Sequence, residues 1–354
     1  MKKARILFYY KTLRNTDQAL AGTSTAMLLA TARLAAVCKH FDLVLAGDDV
    51  LREEDFPDGR RLIPLPGPDN LKKFLRGFDV VVMASHVAAF LEEPKPYGQR
   101  WVLLQHCWDL MEDLLPRIQD FDVTIALSVQ HRDHLATQGL PPQRIEVITN
   151  QIDTELFHPA VLPQSPMRLL YAGALVPHKG VHVLVAAMPL LLAVEPEASL
   201  DVIGSETMWQ DYEAGYAQRL RRDAAGLPIR FFEPLAQPAL AEQYRTHGIC
   251  CLPSRLESFG LVLVEAQACG CVPVAHCSGG VAAVIRHGET GLLYSPNTPK
   301  ILAETLVAAI RRLRRGEPLR ERAIASARSR FDGHEQTLAL AELLNGQAGL
   351  EDKC

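Results

Sequence analysis

Residues 250–274 read CCLPSRLESFGLVLVEAQACGCVPV. The stretch has the grammar of strand, turn, helix, turn, strand. Its first apolar run, ending near Leu252, does not alternate with polar residues, which suits a strand covered on both faces. Pro253 and Ser254 turn the chain, and Ser258 is the expected N-cap of a helix over 259–269. Gly270 suits the position just past the helix, and Pro273 opens the next strand region. Two carboxylates, Glu257 and Glu265, bracket an apolar run, separated by ~12 Å along the axis at ~1.5 Å per residue. Amides near Ser258, Gly260 and Leu261 lie at the helix N-terminus, which attracts phosphate. Gly260 lets a ligand approach the backbone closely.

These dimensions match a nucleotide sugar. One carboxylate can bond sugar hydroxyls, the amides take the diphosphate, and the other carboxylate can bind two ribose hydroxyls. Taken alone, the pair is read more simply as a solvent-facing Glu265 and a loop charge at Glu257. A glycosidase pair would lie closer, at ~5–9.5 Å.

The same grammar runs through the chain. RILFYY, FDLVLAG, FDVVVMAS, RWVLLQ, DVTIALS and RIEVITN are expected strands of the first half; MRLLYAGAL, ASLDVIGS, IRFFEPL, GICCLPS and CVPVAHC follow in the second. Helical patterns lie between them, for example over 23–40, 181–195 and 299–315. Alternating strands and helices mean an α/β fold with parallel sheets. The rhythm breaks at TELFHPAVLPQSPM (154–167), whose three prolines mark a linker. The expectation is two doubly wound domains, 1–158 and 165–330, joined by a linker at 159–164 and facing across a cleft. Ligands of open α/β sheets bind at carboxyl strand ends, and a cleft between two such sheets is the default site. A C-terminal helix is expected within 331–354, packing back on the first domain.

Composition narrows the function. A chain of 354 residues with 48% hydrophobic and 22% charged residues is globular, and a net charge of −4 gives no field for nucleic acid. The arginines at 311, 312, 314 and 315 sit on a helical pattern and read as a solvated face. The apolar stretch after the first lysines is too short for a signal peptide, and no run reaches the ~18 residues of a membrane helix. The eight cysteines show no metal spacing and read as small core residues of a reducing, cytoplasmic protein. Asp48 and Asp49 of GDD read as a turn rather than a metal site. His131, His134 and His158 read as surface or packing residues. The stretch 69–79 reads as a solvated basic helix and leaves peripheral membrane association open.

The pattern PS..E.FGL...EA.A.G.PV in 253–274 resembles the E-x7-E signature of retaining glycosyltransferases of GT-B fold, family 4, also called glycosyl transferases group 1. YAGALVPHKGVHVLVAAM (171–188), PQRIEVITNQIDTELFHP (142–159) and SGGVAAVIRHGETGLLYSP (278–296) are similar to further segments of that family, in its order. The resemblance implies a GT-B fold and a metal-independent transfer of a hexosyl-type group from a nucleoside-diphosphate sugar to an acceptor hydroxyl. The acceptor is a glycan, lipid or small molecule, and no cofactor is required.

It also implies roles. Lys179 contacts the donor diphosphate, Glu257 the sugar hydroxyls and Glu265 the ribose. Ser258, Phe259, Gly260 and Leu261 form the donor-binding segment, the last three through backbone amides. Gly173, Gly204 and Ser205 continue the donor pocket, and Gly22 and Thr23 approach donor phosphate or acceptor, Thr23 or Ser24 also capping its helix. His106, at a carboxyl strand end, is either a catalytic histidine or one satisfied in a loop. The chain departs from the family at Ala174, where an arginine is usual, at Gln151, where a glycine is usual, and at Ala282-Ala283. Arg255 or His178 are the available substitutes for the missing cation. Two alternatives stand beside transfer: a nucleotide-sugar epimerase of the same fold, and an inactive sugar-binding subunit, which Ala174 keeps open.

Overall fold

The computed structural model describes residues 3–13, 22–85, 94–112, 114–161, 164–205 and 213–350. The chain divides into two compact units. One comprises Met1–Gln151 with Gly333–Cys354, the other Ile152–Asp332. The division falls at Gln151, ahead of the proline-rich stretch expected to hold the linker. Ile152 already belongs to the second unit, where its amide donates to the Phe331 carbonyl at 2.9 Å. Prolines interrupt helical periodicity there, but the chain around them is packed: Phe157 is buried, and Arg245 donates to the Leu156 carbonyl.

The first unit carries strands β1 (Ala4–Tyr9), β2 (Phe41–Gly47), β3 (Glu54–Asp55), β4 (Arg61–Pro64), β5 (Val80–Ala84), β6 (Arg100–Leu104), β7 (Val123–Ala126) and β8 (Ile145–Val147). They form an eight-stranded sheet in the order β3-β4-β2-β1-β5-β6-β7-β8. Every pairing is parallel except β3 with β4. The strands read as unbroken apolar runs because both faces are covered. On one face Ile6, Phe8, Leu43, Val82 and Ile125 pack in one cluster with Met27 and Leu34 of helix Gly22–Val37. Leu340 and Leu344 of the C-terminal helix His334–Ala348 complete that cluster. On the other face Leu7, Val81, Met83 and Trp101 pack with Leu71 and Leu75 of helix Pro68–Leu75. The apolar stripe of that basic helix is therefore core, and Lys72 and Lys73 are exposed.

The second unit carries β9 (Arg168–Ala172), β10 (Ser199–Ile203), β11 (Ile229–Phe232), β12 (Ile249–Leu252), β13 (Val272–His276) and β14 (Leu292–Tyr294). They form an all-parallel sheet in the order β11-β10-β9-β12-β13-β14. Three strands escaped the sequence reading. β3 is two exposed residues, β4 runs into a proline, and β14 is three residues long. None offers enough residues for a period. No helix among the described residues is long and apolar enough to cross a membrane.

Leu344 is fully buried beneath the C-terminal helix. Leu344→Ala is expected to cost about 2–5 kcal/mol, read as a lower urea midpoint of the first unit.

Candidate active site in the second unit

Strand order reverses at β9 and β12, which lie side by side with their successors running outward in opposite directions. The carboxyl ends at such a switch point are where an open α/β sheet binds ligands. β9 there feeds the turn Gly173–Gly180, and β12 feeds the loop Pro253–Gly260.

Turn and loop are locked together. The Arg255 amide donates to the His178 carbonyl at 2.8 Å. Gly180 stands at φ +70, and a Cβ there would lie 2.1 Å from the Pro253 carbonyl oxygen. No other residue fits without moving the loop. Across this seam Lys179 Nζ meets Glu257 Oε1 at 2.8 Å, both side chains mostly buried. The loop is pinned from its far side as well. Asn297 Nδ2 donates to the Pro253 carbonyl, Ser278 Oγ to that of Ser254, and the Gly280 amide to that of Glu257 at 2.7 Å. Sequence reasoning missed these three supports, although the glycine pair at 279–280 and the SPNTP turn at 295–299 marked their places.

The helix expected from Phe259 starts at Leu261 and runs Leu261–Ala268. Its N-cap is Gly260 at φ +91 rather than Ser258, and no side chain caps it. Ser258 is half-buried in the loop, and Phe259 is core, its ring edge-on to Phe331 with centroids 5.5 Å apart. The first amides of this helix follow the loop that carries Glu257, and the N-cap glycine has no side chain to offer them.

Glu265 is not the solvent-facing residue that the simpler reading of the pair expects. Its carboxyl is buried, 4% exposed, and accepts from the Tyr244 hydroxyl at 3.3 Å. Burial raises its pKa to about 8, opposed by the Tyr244 bond, so it is largely protonated at neutral pH. The structure brings Lys179 and Glu257 together, and buries Glu265 against Tyr244.

The rest of the turn is close-packed. A Cβ on Gly204 would lie 2.0 Å from the Gly173 carbonyl oxygen, and the Leu175 amide donates to the Ser205 carbonyl. Ala174 is buried, and its carbonyl accepts from the Tyr171 hydroxyl at 2.8 Å. An arginine at 174 would have to leave that packing. Arg255 is exposed, with its backbone on the Lys179 turn. Burial, then the charge of Lys179, pushes the His178 imidazole below its usual pKa; Glu257 opposes this and Arg255 adds to it.

The remaining residues singled out belong to the first unit. Gly22 is the first residue of helix Gly22–Val37, and Thr23 is half-buried. Ser24 donates to the Thr12 carbonyl at 2.8 Å. Of the glycine loop read over 18–35, residues 18–21 lie outside the described residues. His106 follows β6 and lines a small cavity with Phe8, Met27, Ile125, Ile148 and Leu340. Burial, then His131, lowers its pKa to about 3, so its imidazole is neutral. Gln151, at the family's glycine, is buried and accepts from Arg33 at 2.7 Å and from Thr337 at 3.4 Å. His131 is fully buried and stacks on Trp108, and His134 bonds Asp109, so both serve packing. Asp48 accepts from the Tyr9 hydroxyl and Asp49 from the Leu13 amide, as a turn requires. No cluster of three metal-ligating side chains occurs among the described residues.

A two-unit α/β chain whose second sheet presents a lysine, a glutamate and a helix N-terminus at its switch point has the architecture of a GT-B glycosyltransferase. Solved structures share the fold. Sucrose-phosphate synthase from Thermosynechococcus elongatus superposes with a TM-score of 0.81 at 18% identity, covering 97% of this chain and 99% of that one. Anabaena HepE in complex with UDP and glucose gives 0.73 at 18% identity, covering 97% and 100%. The model of the family described as glycosyl transferases group 1 matches residues 153–330, and that of glycosyltransferase family 4 matches 28–156. The chain belongs to the glycosyl transferases group 1 family. Among curated relatives, D-inositol 3-phosphate glycosyltransferase of Kribbella flavida is 33% identical over 184 residues, 48% of this chain and 43% of that protein. That of Rhodococcus opacus is 31% identical over 225 residues, 59% and 49%. The chain spans about half the length of the curated relatives it matches.

Two outcomes follow from this geometry. Gly180→Ala is expected to lower Tm and to loosen the Lys179–Glu257 contact, seen as faster amide exchange over 253–260. Glu265, with its folded pKa raised, contributes stability that is full in acid and lost as pH rises through about 8. The stability of Glu265→Gln relative to the parent should therefore rise by up to about 1.4 kcal/mol per pH unit between pH 6 and 8. A flat difference would place Glu265 in solvent.

Proposed function

We propose that the protein is a retaining glycosyltransferase that moves a hexosyl-type group from a nucleoside-diphosphate sugar to an acceptor hydroxyl without a metal. The observation that carries this reading is the Lys179–Glu257 pair at the seam of two switch-point loops, on the loop that leads into the helix starting at Leu261. Family membership supports it, and so does the fold shared with a protein whose structure holds UDP and glucose.

In this reading the C1–oxygen bond to the diphosphate breaks, and its electron pair goes to the leaving phosphate oxygen. The acceptor hydroxyl oxygen bonds C1 on the same face, and its proton passes to that phosphate. The protein's main task is to hold negative charge on the leaving group. Lys179, released from Glu257 when the donor enters, supplies one cation, and Arg255 a second in place of the arginine missing at Ala174. The amides at Gly260 and Leu261 supply aligned donors. Glu257 then turns to the sugar hydroxyls. Gly173, Gly204 and Ser205 complete the donor pocket. Glu265 would meet the ribose through Oε1, the oxygen that Tyr244 does not engage. In the first unit, Gly22 and Thr23 open the helix Gly22–Val37, and His106 is a neutral imidazole with the chemistry to bond an acceptor or sugar hydroxyl.

Thermal shifts with UDP, GDP, TDP and ADP and their glucose conjugates test the donor site. A nucleotide at ~100 times its Kd stabilises by ~2.7 kcal/mol. One base is expected to shift the protein, with Lys179→Ala losing most of that shift. Donor turnover in EDTA is expected to match that with magnesium and to fall at least a hundredfold in Lys179→Ala and Glu257→Ala. Unshifted protein across the panel would overturn the donor site, and binding without turnover would favour an inactive subunit.

A further inference from the structure

The first sheet also has a switch point, between β1 and β5. Ser85 stands directly after β5, at its carboxyl end. Among the described residues it is the one non-glycine with positive φ, at +49. Such a backbone is disfavoured for an L-residue and persists where the surroundings fix it, most often at functional sites.

What the conformation achieves is visible in its side chain. Ser85 is 1% exposed, and its Oγ accepts from two successive amides, His106 at 2.8 Å and Cys107 at 3.3 Å. The loop that follows β6 is fastened at other points too. Gln105 Nε2 donates to the Cys107 and Asp109 carbonyls, and the Leu110 amide to Gln138 Oε1. The Trp108 ring lies nearly parallel to His134, with centroids 4.6 Å apart. A loop without regular structure is thus held at almost every residue. Its product is one fixed imidazole, His106, at the wall of the cavity.

We propose that Ser85 is a positioning residue for glycosyl transfer: its Oγ fixes the backbone of His106 and Cys107 and so sets where the His106 imidazole stands. This rests on the reading that His106 serves the reaction. Ser85 itself touches no substrate.

Ser85→Gly removes the hydroxyl and the backbone strain together, so it is the variant that folds with least cost; Ser85→Ala removes the hydroxyl alone. His106→Ala assigns the His106 signals in histidine-labelled NMR spectra and tests the underlying reading. Turnover is followed as nucleoside diphosphate released from whichever of UDP-, GDP-, TDP- and ADP-glucose is processed. The expected result is a tenfold or larger fall in kcat in both Ser85 variants, with donor KM within twofold of the parent. The His106 ring, neutral to below pH 5 in the parent, should change its ring chemical shifts and the pH at which it titrates in Ser85→Gly. Full kcat in Ser85→Gly, with His106→Ala inactive, overturns the proposal and leaves the reading of His106 intact. Full kcat in His106→Ala removes that reading, and the proposal with it. If no donor is processed, an unchanged His106 titration in Ser85→Gly overturns the proposal by itself.

Discussion

The second unit's candidate site depends on one steric fact: the Pro253 carbonyl lies where a Cβ on Gly180 would be. That contact closes the seam between the loops leaving β9 and β12. With the seam closed, the Arg255 amide reaches the His178 carbonyl and Lys179 reaches Glu257. Charge and hydrogen bonding then act over a distance that backbone packing has already set. A lysine on a free turn would lose much of its pairing energy to side-chain entropy and water. Here it is presented on a turn that cannot relax, which is the form of preorganisation that charge stabilisation requires.

The carboxylates of the E-x7-E stretch illustrate how one spacing yields two environments. Glu257 sits on the loop before the helix and meets a cation. Glu265 sits a turn inside the helix, on the face that Tyr244 covers, and burial makes it a weak acid. Spacing along the chain sets the two positions apart. It could not say which way the second one points, because Leu261–Ala268 is apolar nearly all round and has no polar face to orient it.

The legible parts of the fold were the long apolar runs. The first sheet is anchored on strands such as FDLVLAG and FDVVVMAS, whose lengths make them readable. The site loops were legible through the resemblance, since Lys179, Glu257 and Gly260 carry family spacing. Less legible were contacts made by backbone atoms. The carbonyls of Pro253, Ser254, Glu257 and His178 organise the loop, and a carbonyl leaves no trace in residue identity. Composition favours Ser258 over Gly260 as the cap, because serine is the commoner cap. The positive φ that the turn demands excluded it. Ser85 was invisible for the opposite reason: nothing about a serine after a strand announces a left-handed backbone.

The helix His334–Ala348 supplies Leu340 and Leu344 to the core of a sheet whose strands all lie before residue 148. This fixes an order of events at the ribosome. The first sheet is synthesised complete, yet one face keeps apolar residues uncovered while the whole of Ile152–Asp332 is made. The second unit, continuous in the chain, can close first. The first finishes only when its last helix arrives, which leaves a long interval in which its open face is exposed to chaperones and to aggregation.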